Sequence, residues 1–142
     1  MNDFVIRPLQ SSDFTHGYIE LVCELTQHNK LINEEFFNNY IENNLIKTIV
    51  VYSNTMKKII GVGSIFILQK LHCNSVGQIE DVIIHQDFRK NGIGKMIINK
   101  LIEIGKNKFN CYKIILNCLD KNVEFYKNCN FLISGNQMRY DC

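Results

Sequence analysis

Apolar positions along this chain switch repeatedly between strand and helix periods. Phe4 to Arg7 reads as a short strand that Pro8 ends. From Ser12-Asp13, which can cap a helix, the period becomes helical to about His28, with Tyr18, Leu21, Val22 and Leu25 on one stripe. Asn33-Glu34-Glu35 starts a second helix, whose apolar side is Phe36, Phe37, Tyr40, Ile41 and Leu45. The pattern then turns strand-like: Lys47 to Tyr52, a turn at Asn54, Ile59 to Leu68, a loop, and Ile79 to His85. Ile93 to Lys106 is helical again, with Ile93, Ile97, Leu101 and Ile104 on one face. Tyr112 to Cys118 predicts a compact buried strand, and Asp120 caps a short helix to about Cys129. Asn130 suits the left-handed residue that ends a helix, and Phe131 to Tyr140 closes the chain as one or two strands. The predicted order is β-α-α-β-β-β-α-β-α-β, an α+β (mixed α/β) sheet with helices on its faces.

Nothing in the pattern divides the 142 residues, so residues 1–142 are expected to form one domain. The chain is 46% hydrophobic and 21% charged, as in ordinary globular proteins. A net charge of +2 gives no case for nucleic acid or an anionic membrane, and no run is apolar and long enough to span a bilayer. Met1-Asn2-Asp3-Phe4 has no basic region followed by an apolar core, so no secretory signal is expected. The six cysteines lie scattered in apolar runs without a C-x-x-C pair; they predict reduced thiols in a cytoplasmic protein, and no metal site.

Chemistry concentrates in Arg89-Lys90-Asn91-Gly92-Ile93-Gly94, between a strand-like and a helix-like run. Backbone N–H groups at a helix N-terminus favour anions. Gly92 and Gly94 remove side chains that would hold a phosphate off the backbone, and Arg89, Lys90 and Lys95 add charge. The turn therefore predicts a pyrophosphate site. The Walker A spacing fails, as does the Rossmann G-x-G-x-x-G. The turn resembles the Arg/Gln-x-x-Gly-x-Gly/Ala signature of the GNAT superfamily of N-acetyltransferases at every defined position. Three further stretches are similar to the eukaryotic glucosamine 6-phosphate N-acetyltransferases: Gly77-Gln78-Ile79-Glu80-Asp81-Val82, Cys111-Tyr112-Lys113-Ile114-Ile115-Leu116, and Lys121 to Phe131. The resemblance is close over the C-terminal half and loose before it.

The resemblance implies a GNAT fold with a splayed strand pair. Acetyl-CoA would lie in the splay, with Val82, Ile83 and Ile84 pairing its pantetheine arm and one of their amides facing the thioester oxygen as an oxyanion donor. Lys90, Asn91, Gly92, Ile93, Gly94 and Lys95 would hold the pyrophosphate. Asn122, with Val123 and Glu124 after it, would touch CoA. Tyr126 matches the tyrosine next to the leaving sulfur, a general acid. Glu80 and Asp81 fall on positions that hold the amino sugar; that pair, or a nearby carbonyl or water, would orient the amine and take its proton. Adjacent strand residues face opposite sides, so both reach one site only if a bulge intervenes. Lys70 and His72 match a pair in the substrate loop, shorter here, and Tyr112, Lys113 and Thr26 also fall on substrate positions. Two departures bear on the acceptor: Asn117 stands where the family has Asp, and Asp141 where it has Arg, with Arg139 two residues away. The resemblance further implies a homodimer, and UDP-N-acetylglucosamine supply as the pathway.

Each of these residues also has an ordinary reading: core strand for Val82 to Ile84, a solvated edge pair for Glu80 and Asp81, an apolar helix face for Tyr126. Another amine as acceptor, or a CoA-binding module without activity, remains compatible with the turn alone. A cysteine nucleophile has no adjacent His–carboxylate pair in the sequence.

Overall fold

One five-stranded sheet in the order β1-β2-β3-β4-β5 organises the chain. The computed structural model describes residues 3–26 and 31–142. The strands are β1 (Phe4–Pro8), β2 (Ile46–Ser53), β3 (Lys58–Leu68), β4 (Val76–Ile84) and β5 (Lys113–Leu116). The first four pair antiparallel in sequence order; β5 joins β4 in parallel. That parallel step needs a crossover, supplied by helix α3 (Ile93–Glu103), which continues as a π-helical turn over Ile104–Lys108.

Both faces are covered, so the central strands read as near-continuous apolar runs. On one face Ile49, Ile65, Ile79, Ile97 and Leu101 pack together beneath α3. On the other, Val50, Val62 and Ile83 meet Tyr18 and Leu21 of α1 (Tyr18–Cys23) and Phe37 of α2 (Glu34–Glu42). Asn33 caps α2 as expected, its side chain accepting from the Phe36 N–H at 2.8 Å. Phe36 and Leu45, assigned to the apolar side of this helix, are exposed.

The structure corrects the predicted boundaries at four places. The first helical stretch is not continuous: Ser11–Thr15 forms a 3-10 turn, Gly17 is left-handed at φ 85°, and α1 starts after it. The Asp13 carboxylate is drawn inward instead, where it accepts from Arg7 and from the Gln10 N–H. The predicted end at His28 lies outside the described residues. The Tyr112 to Cys118 strand is shorter and half open, since β5 is the sheet edge and Ile115 is exposed. Asp120 does not cap; it opens a 3-10 turn, Asp120–Asn122, leading into α4 (Val123–Lys127). Phe131 to Tyr140 forms no strand and pairs with neither edge of the sheet. Asn130 does take the left-handed conformation (φ 67°), with the Phe131 N–H closing on the Tyr126 carbonyl at 3.0 Å.

Candidate active site

The parallel ladder between β4 and β5 runs from Val76–Lys113 to Ile79–Leu116 and stops. Strand β4 continues to Ile84, paired on its other side with β3. Residues 80–84 therefore have no ladder partner toward β5, and their outward N–H and C=O groups are available to a ligand. The register between β3 and β4 shifts between Val62 and Ser64, and at this shift Asp81 has φ 56°. Asp81 is the extra residue of a β-bulge. It resets the alternation: Glu80 lies opposite Ser64, Val82 turns toward α3, and Ile83 packs with Val62 and Tyr18. The bulge that the sequence required for both carboxylates to share a site is present.

Glu80 accepts from the Gln78 side-chain amide at 2.5 Å. Asp81 is open to solvent on one side and packed on the other; burial first, then the neighbouring Glu80 carboxylate, raises its pKa above the usual carboxylate range.

Past Ile84 the chain makes a short 3-10 turn, Gln86–Phe88, and enters the glycine loop. Arg89 donates from Nε to the Ile84 carbonyl at 3.0 Å, which fastens the loop to the strand. Lys90 (φ 65°) and Gly92 (φ 79°) are both left-handed, so the backbone curls before α3. No side chain caps α3 and no acid lies in its first turn, so the N–H groups of Ile93, Gly94 and Lys95 are available to an anion. A Cβ at Gly92 would meet nothing within 4 Å; one at Gly94 would lie 3.0 Å from Phe125 of α4. Gly92 is thus needed for its φ, and Gly94 for the approach of the two helix starts. Ile93 is buried in the core, leaving only its backbone for a ligand.

That approach sets α4 against the start of α3, and Tyr126 packs on the same core cluster as Val82 and Ile84. Its ring lies between Phe125 and Phe131, centroids at 4.9 and 6.0 Å. Burial, then the Cys118 and Cys129 thiols, push its phenol above the ordinary value. Asn122 is exposed at the start of α4; Val123 is half-buried, and Glu124 pairs with Lys127 at 3.2 Å.

The family model of the Acetyltransferase (GNAT) family matches residues 7–131. The chain belongs to the GNAT family. It is 38% identical to glucosamine 6-phosphate N-acetyltransferase 1 of Dictyostelium discoideum, over 93% of this chain and 87% of that one. It is 34% identical to the glucosamine 6-phosphate N-acetyltransferase of Trypanosoma brucei brucei, covering 98% and 96%. The crystal structure of glucosamine-6-phosphate N-acetyltransferase from Arabidopsis thaliana superposes with a TM-score of 0.90 at 32% identity, covering 99% of each chain.

Other candidate residues of this GNAT chain lie farther away. Lys70 and His72 are exposed on the β3–β4 loop. The Tyr112 N–H reaches the Ser75 carbonyl, and Lys113 sits 5.3 Å over the Tyr112 ring. Glu80 lies four residue steps along β4 from Val76, which is beside Lys113, roughly 13 Å at strand rise. Asn117 is exposed and follows Leu116, where the ladder with β4 ends. Thr26 is exposed at the end of α1. Arg139 is exposed and paired with Asp141 in the C-terminal segment. Strand β4 thus carries the carboxylates and leads directly into the anion loop, while Lys70, His72 and Lys113 lie toward the other end of the strand. A groove of about 400 Å³ lined by Leu9, Tyr40, Thr48, Lys100 and Lys108 contains none of the candidates. Tyr18 and Gln78 went unassigned in the sequence: the first reads as one more apolar-stripe aromatic, and the second shows nothing until its contact with Glu80 is seen.

The raised pKa of Asp81 fixes a sign. Its stabilising contribution is full below the unfolded carboxylate pKa and is lost as pH rises through the raised folded value. At neutral pH the ionised group is a cost. Asn also tolerates the left-handed backbone. Asp81→Asn is therefore expected to melt no lower than wild type at pH 7 while losing acetyl transfer. A melting point several degrees lower, or an unchanged rate, would contradict this.

Proposed function

We propose that this GNAT enzyme transfers the acetyl group of acetyl-CoA to the 2-amine of glucosamine 6-phosphate, giving N-acetylglucosamine 6-phosphate and CoA. The bulge at Asp81 carries the reading: it sets two carboxylates on one face of a strand whose next residues, Val82 to Ile84, are open toward the splay. The names of the full-length relatives support the acceptor.

The open edge of Val82, Ile83 and Ile84 fits an extended amide-bearing arm, and the curled loop from Arg89 to Lys95 fits its pyrophosphate. An N–H of this edge stabilises the oxyanion as the amine adds to the thioester carbon. Glu80 and Asp81 orient the amine; one of them, or a water they hold, takes its proton. The C–N bond forms, the C–S bond breaks, and the Tyr126 phenol donates to the departing sulfur. Both substrates are bound together and no acetyl-enzyme forms. Asn117 keeps a hydrogen-bonding amide for a sugar hydroxyl.

The reading includes a homodimer in the cytoplasm that feeds UDP-N-acetylglucosamine synthesis. The outer edge of β5 has no strand partner among the described residues, and the C-terminal segment exposes Leu132, Ile133, Met138 and Tyr140. A second copy covering these surfaces would bring cations toward the carboxylates for the sugar phosphate. Sedimentation at micromolar concentration should give a dimer; a monomer would remove this part.

Thiol release from acetyl-CoA is the test of the acceptor. Glucosamine 6-phosphate should exceed glucosamine, a polyamine and lysine peptides in kcat/KM. Equal rates with glucosamine would refute the phosphate assignment, and a preferred peptide or polyamine would move the enzyme to another acceptor class.

A further inference from the structure

Tyr18 stands on the first turn of α1, 8% exposed, with its ring 5.3 Å from that of Phe37 in an edge-on contact. Buried tyrosines nearly always hydrogen-bond through the hydroxyl. The Tyr18 oxygen has no such partner among the described residues and is not enclosed by them either, so it is open to a ligand, whereas hydroxyls nearby are bonded. Thr48 and Ser64 bond each other at 2.7 Å, and Tyr40 lies 3.5 Å from both. Helix α1 packs on β3 and β4, and Tyr18 shares its cluster with Val62 and Ile83, the strand pair that follows the bulge. The phenol therefore belongs to the sheet face to which the bulge turns Asp81, one strand position from Glu80 and its neighbour Ser64.

We propose that Tyr18 is a specificity-determining residue of the acceptor site, whose hydroxyl hydrogen-bonds a hydroxyl of the amino sugar while Glu80 and Asp81 hold the amine. This rests on the acceptor reading above. A neutral phenol both donates and accepts, which suits a neutral sugar hydroxyl better than an ammonium group. Burial, then Tyr40 and Asp81, raise its pKa, so it stays protonated at every pH at which the enzyme would work. A site built to bond a hydroxyl rejects analogues that lack it, because the buried partner is then left unpaired.

The test is Tyr18→Phe, which keeps the ring against Phe37, assayed with glucosamine 6-phosphate and its monodeoxy analogues. With the natural sugar, KM or kcat/KM should worsen about tenfold, the effect of one hydrogen bond, with the KM for acetyl-CoA and the melting point unchanged. One monodeoxy analogue should cost wild type a similar factor and cost the variant nothing more. Equal losses for wild type and variant with every analogue, or a variant as good as wild type on the natural sugar, would overturn the proposal. A wild-type enzyme inactive on glucosamine 6-phosphate would overturn the acceptor reading instead, and is seen before the variant is compared.

Discussion

Tyr126→Phe is expected to lower kcat by about 10²- to 10⁴-fold, the range of a positioned general acid, with little change in affinity for acetyl-CoA. The ring is held by Phe125 and Phe131 through contacts that phenylalanine keeps, so the variant should fold and melt like wild type. The hydroxyl is what it loses. Desolvation raises the phenol's pKa, which keeps it protonated across the neutral range in the form that can donate to sulfur. As the C–S bond breaks, negative charge gathers on the sulfur in a site partly closed to water. A hydrogen bond that strengthens at that moment lowers the barrier, whereas one equally strong with bound substrate would not. The loss should therefore appear in kcat and not in acetyl-CoA binding measured by calorimetry. Unchanged turnover would take Tyr126 out of the chemistry, and equal losses in binding and turnover would make it a binding residue only.

The parts of this site that were legible before the structure are those written in local pattern. Gly92 and its neighbours mark an anion turn because a left-handed backbone and a helix start leave a local signature, and the apolar runs of β2 and β3 mark central strands by composition. The bulge is different. Whether Asp81 shares a face with Glu80 depends on the register of β3 against β4, and no periodicity within residues 79–85 records it. The same limit hid the separation of Lys70, His72 and Lys113 from the carboxylates, because distance along β4 matters only once Val76 is known to pair with Lys113. Gly17 breaks a stripe that otherwise spans Ser12 to Leu25, and helical spacing does not report a single residue at φ 85°. Phe131 to Tyr140 is apolar at both ends, as a closing strand could be, yet it pairs with no strand of the sheet. Tyr18 was visible as a core aromatic; that its oxygen is left open, without a partner among the described residues, is a fact of packing.

Arg7→Ala is expected to cost about 3–5 kcal/mol, the cost of leaving a buried charge without its partner. The Arg7 guanidinium donates from Nη1 and Nη2 to the two oxygens of Asp13, each at 2.7 Å, a bidentate fork. The Asp13 side chain is fully buried, and beyond Arg7 it accepts, among the described residues, only from the Gln10 N–H at 2.9 Å. Arg7 also lies 5.5 Å over the Tyr52 ring, so truncation removes packing as well as charge. For a chain of this size, about 3 °C per kcal/mol, the melting point should fall by roughly 10–15 °C. Arg7→Lys keeps the charge without the fork and should fall between the two. Replacing both partners by apolar residues of similar volume should recover much of the loss, since the penalty belongs to the stranded carboxylate and not to the absence of an ion pair. The pair ties β1 to the turn that leads into α1 and Tyr18. Well below its lowered melting point, Arg7→Ala should therefore raise the KM for the acceptor more than that for acetyl-CoA, whose proposed loop lies on the opposite, α3 side of the sheet. Melting within about 2 °C of wild type would show that Asp13 finds other partners and that the pair does not anchor this end of the fold.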